Sequence, residues 1–111
     1  MEIDREVERQ LDELGVPKGL LGYKYLKSAI IMICKDFTLV SSLTTSVYPE
    51  VGKIYGKSRS RVEIDMRNAI RTTWNNDPEH FKEFFKSDFL ERQPVSAEFI
   101  ATLAEKIRLE H

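Results

Sequence analysis

Apolar residues recur every three or four positions along most of this chain, which is the period of an amphipathic α-helix. The first stripe predicts a helix over residues 3–14, with apolar positions at Ile3, Val7, Leu11 and Leu14. Gly15 and Pro17 follow it, and both residues favour the end of a helix. Residues 19–36 are apolar around most of a helical circumference, which predicts a helix in the middle of the domain. Its apolar residues are Leu20, Leu21, Tyr25, Leu26, Ala29, Ile30, Met32 and Ile33.

The stretch Tyr48–Trp74 has the pattern of a short helix, a glycine turn and a longer helix. The short helix is expected over residues 45–55, with buried positions at Val47, Val51, Ile54 and Tyr55. Gly56 supplies the left-handed conformation that ends many helices. The longer helix is expected over residues 58–74, with buried positions at Val62, Met66, Ala69, Ile70 and Thr73. Its two candidate caps are Ser58 and Ser60.

Two further helices are predicted after a turn at Asn75–Asn76. Asp77 is expected to cap the first of them, which carries an aromatic stripe at Phe81, Phe84, Phe85 and Phe89. Glu91–Pro94 is predicted to be a loop, and Ser96 to cap the last helix, with buried positions at Phe99, Ile100, Leu103 and Ile107. These segments predict an all-α fold in one domain spanning residues 1–111.

Charge is distributed unevenly along the chain, although the net charge is only −1. Residues 41–75 carry six basic and three acidic side chains. Residues 1–40 carry six basic and seven acidic side chains, and residues 76–111 carry five basic and eight acidic ones. A positive segment between acidic flanks favours a local phosphate-facing patch.

The positive segment coincides with the predicted helix–turn–helix, which is the commonest way to place a helix in the major groove of DNA. Arginine is the favoured reader of guanine, Glu63 could accept a hydrogen bond from the amino group of cytosine, and flanking lysines, arginines and hydroxyls hold phosphates. The same spacing also fits a solvated charged face on an ordinary helix. The candidate DNA-binding residues are Lys57, Ser58, Arg59, Ser60, Arg61, Glu63, Ile64, Arg67, Asn68 and Arg71.

Ile64 is anomalous among these residues. At about 100° per residue, its side chain points almost directly away from the apolar stripe of the predicted helix. A branched apolar side chain at this position is either a tolerated surface residue or one that contacts a partner.

The sequence offers little support for enzymatic chemistry. It contains no phosphate-binding glycine loop, no nucleophile elbow and no paired Cys/His spacing, so we expect no cofactor and no metal. His80 and His111 are expected to be surface residues, and Cys34 to be a buried small hydrophobe. A single cysteine forms no disulfide within the chain, and the charged N-terminus has no apolar signal region. We therefore predict a cytoplasmic protein that does not enter a membrane.

Four segments carry a resemblance to a known family. They are LGVPKGLLGYKYL at 14–26, VYPEVGKIYG at 47–56, SRVEIDMRNAI at 60–70 and SAEFIATLAEKIRLEH at 96–111. On these segments the chain resembles the C-terminal DNA-binding effector domain of the stage-zero sporulation response regulator of endospore-forming Firmicutes. The last segment is the most specific, because a generic helix–turn–helix would not contain it.

The resemblance implies a compact six-helix domain in which the third and fourth helices form the helix–turn–helix. It implies binding to double-stranded DNA at short boxes, often in tandem, with two domains contacting each other as a homodimer on the DNA. In the family, a phosphorylated receiver domain precedes this domain. No receiver precedes the domain in this sequence, so we expect it to be either a fragment of a longer protein or a stand-alone protein without the phosphorylation switch. Residues 72–90 correspond to the family's contact with a sigma subunit of RNA polymerase, and they diverge here.

The resemblance also assigns residue roles. Ser60–Glu63 matches the family motif, which implies that Arg61 and Glu63 contact bases or phosphates. Arg67 matches a family arginine. Ile64 stands where the family has an arginine, which would read a guanine, so its presence predicts an altered box preference. Asp65 and Asn68 replace a small residue and a histidine of the family, and Lys57 and Arg59 add charge. The alternative is a helical protein-interaction domain that has lost specific DNA binding.

Overall fold

Six α-helices make up most of the structure, which is a computed structural model that describes residues 2–86 and 92–111. The helices are α1 (Ile3–Leu14), α2 (Leu21–Lys35), α3 (Tyr48–Tyr55), α4 (Arg59–Asn76), α5 (Pro78–Phe84) and α6 (Ser96–Glu110). Between α2 and α3 the chain forms a 3₁₀ segment, Phe37–Ser42, and then a π turn, Leu43–Val47. No strand occurs within the described ranges, so the all-α prediction is confirmed.

Helix α2 lies at the centre of the domain, as its apolar circumference predicted. It packs against α4, α6 and α1. Its fully buried residues are Tyr25, Leu26, Ala29, Ile30 and Ile33. At Gly22 the backbones of α2 and α4 come so close that an added Cβ would lie 2.1 Å from the carbonyl oxygen of Asp65. The position of α4 is therefore set by direct backbone contact with the core helix.

Three of the predicted helix ends are confirmed. Gly15 has φ 98°, and its N–H donates to the carbonyl oxygens of Leu11 and Asp12 at the end of α1. Gly56 has φ 68° at the end of α3. The Asp77 carboxylate accepts a hydrogen bond from the N–H of His80 (3.0 Å) at the start of α5.

The boundaries of three other elements differ from the predictions. Helix α3 begins at Tyr48 rather than at residue 45, because the preceding residues wind into the wider π turn. Helix α4 continues through Asn75–Asn76, where a turn was predicted, and its last turn is closed by the N–H of Asp77 donating to the Thr73 carbonyl. Ser96 is the first residue of α6 rather than its cap, since the chain leaves the extended conformation at Val95.

Several residues predicted to be buried lie on the surface. Ile54 is 57% exposed, because it lies about 200° around α3 from Gly52, which faces the turn before α4. Leu20, which precedes α2, and Leu21, its first residue, are exposed, although Gly22 and Tyr23 beside them are buried. Cys34 is half-buried rather than fully buried, and this partial burial raises the pKa of its thiol.

The C-terminal third of the core is aromatic. The ring centroids of Trp74 and Phe81 are 5.1 Å apart, those of Phe81 and Phe85 are 5.3 Å apart, and those of Phe85 and Phe99 are 5.7 Å apart. Phe84 is also buried, which confirms three members of the predicted stripe. Phe89 and Glu91 lie outside the described residues, so the stripe and the Glu91–Pro94 loop are described only in part.

Both histidines are exposed, as predicted, but each contacts a distant part of the chain. A ring nitrogen of His80 lies 2.8 Å from the carbonyl oxygen of Glu13. Nε2 of His111 lies 2.9 Å from Oε2 of Glu6, which is itself buried. These contacts connect α5 and the C-terminal residue to α1. No helix in the described part of the chain is long and apolar enough to cross a membrane.

Candidate nucleic-acid interface

The turn between α3 and α4 is tight and glycine-dependent. The N–H of Lys57 donates to the carbonyl oxygen of Gly52 (2.8 Å), after Gly56 has reversed the backbone in the left-handed conformation. A Cβ added at Gly52 would lie 2.4 Å from the carbonyl oxygen of Lys57. This close return of the chain, and the packing of α3 on α4, are consistent with a helix–turn–helix.

Helix α4 is fixed by its buried face, which contacts α2, α3, α5 and α6. All five residues predicted for this face are buried: Val62, Met66, Ala69, Ile70 and Thr73. The Thr73 hydroxyl donates to the carbonyl of Ala69 (2.8 Å), so it buries no unpaired donor. The first turn begins at Ser58, whose hydroxyl accepts from the N–H of Arg61 (3.1 Å). Ser58, and not Ser60, is therefore the cap.

The ten candidate DNA-binding residues are brought together on the turn and on the outward side of α4. Seven of them are exposed, namely Lys57, Ser58, Arg59, Ser60, Arg61, Arg67 and Arg71. Glu63, Ile64 and Asn68 are half-buried. The prediction that these residues share one surface is therefore consistent with the structure, while their contact with DNA stays a prediction.

Two arginines at the start of α4 are paired with carboxylates one turn further along. Nε of Arg59 lies 3.9 Å from Oε2 of Glu63, and Nη1 of Arg61 lies 3.5 Å from Oδ1 of Asp65. Further along, Nη2 of Arg71 donates to Oδ1 of Asn68 (2.6 Å). The arginine at each of these three sites therefore has a partner on the same helix.

Asp65 lies between the outward surface of α4 and the core. Its side chain is only 12% exposed, and its Oδ2 atom is buried without a hydrogen-bond partner among the described residues. The buried hydroxyl of Tyr25 in α2 is in the same situation. Burial, and then the charge of Asp65, raise the pKa of the Tyr25 hydroxyl, which stays protonated. The sequence pattern gave no indication of these two buried polar groups.

Arg67 differs from the other arginines of α4. No hydrogen bond or ion pair joins its side chain to another residue within 2–86 or 92–111. It lies at a hollow on the outward side of α4, about 550 Å³ in volume, which we call the α4 hollow. The α4 hollow is lined by Thr44, Tyr48, Ser60, Glu63, Ile64, Arg67 and residues 93–97.

The α4 hollow includes residues that the sequence did not single out. Tyr48 is almost fully buried, and its burial, followed by the charge of Glu63, raises the pKa of its hydroxyl to about 12. Gln93 and Val95 reach the hollow from the loop before α6. Gln93 and Val95 are more than fifteen positions from α4, and their segment has no helical periodicity. The sequence therefore gives no signal that would place them at the hollow.

No metal site is evident at this surface. In the ranges that the structure describes, no group of three or more His, Cys, Asp or Glu side chains is arranged to hold a metal ion. The polar groups of α4 include cations, amides and hydroxyls, which proteins use to contact DNA phosphates and base edges, and the carboxylates of Glu63 and Asp65, which pair with Arg59 and Arg61.

Comparison with known families identifies the family of this chain. Residues 7–107 match the family described as "Sporulation initiation factor Spo0A C terminal". The match extends from α1 to α6 and includes the whole of the α3–turn–α4 segment. The family is one of DNA-binding transcription-factor domains and not of enzymes. The chain therefore belongs to the family of C-terminal, DNA-binding effector domains of the sporulation initiation response regulator Spo0A.

Proposed function

We propose that this domain binds double-stranded DNA sequence-specifically by placing the first turns of α4 in the major groove. The observation that carries the proposal is the position of Arg67. Its guanidinium is exposed and has no partner among the described residues, while the opposite face of the same helix is anchored in the core. An unpaired arginine on a fixed helix is available to a base or a phosphate without breaking an internal ion pair.

The other candidate residues fall into two groups by their place on α4. Lys57, Ser58 and Arg59 lie at the turn, where cations and hydroxyls contact phosphates and orient the helix. Arg61 and Glu63 lie about one turn into the helix, and Arg67 lies about two turns into it. At these positions side chains contact base edges. Ser60, Asn68 and Arg71 complete the surface.

The box that this domain recognises is expected to differ from that of other family members. An arginine that donates two hydrogen bonds to guanine contributes about 1–3 kcal/mol of discrimination, and Ile64 donates none. Lys57 and Arg59 add phosphate affinity, which is independent of sequence. We therefore expect binding to depend less on the guanine that the family arginine would read.

Two partner assignments remain part of this proposal. The family resemblance supports a homodimer on tandem DNA boxes and contact with a sigma subunit of RNA polymerase. The segment that corresponds to the sigma contact includes α5, whose sequence diverges from the family pattern. Binding to DNA therefore has more support here than activation of the polymerase.

The test is a fluorescence-anisotropy titration of duplex DNA at several salt concentrations. Arg67→Ala is expected to weaken binding and to reduce the slope of log K against log [salt] by about one if Arg67 contacts a phosphate. If Arg67→Ala instead loses discrimination between DNA sequences and keeps the slope of log K against log [salt], Arg67 contacts a base. The matched control is Arg5→Ala, which removes an arginine whose side chain is 88% exposed on α1.

A protein-interaction domain would give a different result. The wild type would show no DNA-dependent signal at low salt, and Arg67→Ala and Arg5→Ala would be indistinguishable. The same titration thus separates DNA binding from the alternative in which the outward face of α4 contacts a protein.

A further inference from the structure

Two branched aliphatic side chains on separate elements are among the residues that line the α4 hollow. Ile64 comes from the outward face of α4 and is half-buried. Val95 comes from the loop before α6 and is 61% exposed, one of the most exposed large apolar residues of the described chain. Two branched side chains at one concave surface present a small apolar site beside a helix whose remaining outward residues are polar.

The loop that carries Val95 is held in place. Pro94 is buried, and the N–H of Val95 donates to Oε1 of Glu98 (3.0 Å) in the first turn of α6. The same Glu98 oxygen accepts from Nη1 of Arg92 (3.0 Å). Val95 is therefore exposed because the fold places it there, rather than because its segment lacks contacts.

The polar groups around this site indicate what it contacts. Arg67, Ser60 and Glu63 line the same hollow, and Arg67 has no partner among the described residues. The two branched side chains by themselves offer much less area than a protein docking surface, which usually buries several hundred Å² on each partner. A single methyl group beside a hydrogen-bonding base edge is a target that two branched side chains can contact, with polar groups next to it. In the major groove that group is the C5 methyl of thymine.

We propose that Ile64 and Val95 together form a binding site for a thymine methyl group, with Val95 as a specificity-determining residue outside the helix–turn–helix. This inference rests on the proposed function, because it requires α4 to lie in the major groove. It adds to that function the base that is recognised, thymine, and a second structural element that recognises it, the loop before α6. The site replaces hydrogen-bonding recognition of guanine by apolar recognition of thymine at the box position facing residue 64.

The test uses duplexes recovered by selection from a random library on the wild-type domain. Each thymine of the recovered box is replaced in turn by deoxyuridine, which removes the methyl group and keeps the base pairing. At one position we expect a three- to fivefold loss of affinity, roughly the effect of exposing one buried methyl group. Ile64→Ala is expected to abolish this response, and Val95→Ala to reduce it.

Leu109→Ala is the matched control. Leu109 is 78% exposed and lies on the last turn of α6, outside the α4 hollow, so its truncation should leave the full deoxyuridine response. Thermal unfolding of each variant establishes that it is folded. If Ile64→Ala is unfolded, the response of Val95→Ala decides the question.

Three results would overturn the inference while leaving DNA binding intact. They are equal binding of every deoxyuridine duplex, an unchanged response in Ile64→Ala, and an unchanged response in Val95→Ala. Failure of the selection to enrich any duplex would instead contradict the proposed function itself. The two failures are therefore distinguishable.

Discussion

Gly22 in α2 lies against the backbone of Asp65 in α4, with room for no side chain between them. A Cβ at Gly22 would be 2.1 Å from the Asp65 carbonyl oxygen and 2.7 Å from the Cβ of Ala69. The neighbouring atoms belong to backbone and to a methyl group, so they cannot rotate away. The contact therefore makes the position of the candidate DNA-reading helix depend on one glycine of the core helix.

Gly22→Ala is expected to lower the free energy of unfolding by about 1–3 kcal/mol, because α2 and α4 must move apart. Urea denaturation measures the change. Gly19→Ala is the control, since a Cβ at Gly19 meets no atom within 4 Å. Equal stability of the two variants would show that the helices do not pack as closely as described.

Asp65→Asn is expected to increase affinity for random-sequence DNA. The substitution removes the charge that holds Arg61 at 3.5 Å, so the guanidinium becomes available to a phosphate. The slope of log K against log [salt] should steepen by up to about 0.9. Anisotropy titrations of a random duplex measure both quantities.

Glu105→Gln provides the control for net charge, because it removes one negative charge from a pair with Arg108 on α6. A gain of the same size in this variant would mean that overall charge, and not Arg61, accounts for the effect. Asp65→Asn should also have no effect on the slope in an Arg61→Ala background.

Ser58→Ala is expected to destabilise the domain by about 0.5–2 kcal/mol, because the N–H of Arg61 loses the hydroxyl that accepts its hydrogen bond. Ser60→Ala should change stability little, since Ser60 lies inside the first turn and alanine is a better helix former. Urea denaturation distinguishes the two serines. A larger loss at Ser60 would move the start of α4 by two residues.

Stability is expected to fall in acid through Glu6. Burial opposes its charged form, but the hydrogen bonds and charges of Arg9 and His111 together outweigh burial and lower its pKa below 4.5. A lowered folded-state pKa gives stability that is present above about pH 4.5 and is lost as the pH falls through the folded-state value. Glu6→Gln should flatten this part of the profile of unfolding free energy against pH.

Glu79→Gln is the comparison for the acid profile, because the Glu79 side chain is 88% exposed. Its profile should follow that of the wild type. If Glu6→Gln also follows the wild type, the contacts of Glu6 with Arg9 and His111 do not contribute to stability in acid.

Helical periodicity predicted the fold well wherever one face of a helix is buried. The five buried positions of α4 and the left-handed Gly56 followed from spacing and from glycine chemistry. Periodicity was wrong at Ile54, which lies on the side of α3 away from the turn before α4, and at Leu20, which precedes α2. The periodicity of apolar residues along one helix does not indicate which parts of that helix the neighbouring elements cover.

The candidate site was predictable as far as it lies on one segment. The ten residues of the turn and α4 share a surface because they are close in sequence. Two features depend on other elements and were not predictable. One is the burial of the Tyr25 hydroxyl and of Asp65 Oδ2 without hydrogen-bond partners among the described residues, and the other is the presence of Val95 beside Ile64's helix in the lining of the α4 hollow. Both depend on how α4 packs against segments distant in the chain.

The anchoring of α4 has a consequence for how this domain could tell one DNA site from another. Four helices contact its inner face, so tilting it to follow a different groove would open the core. The protein surface is thus preorganised, and adjustment between two sites must come mainly from bending and twisting of the DNA. Flexible pyrimidine–purine steps in a box would then contribute to its affinity even where no side chain touches them.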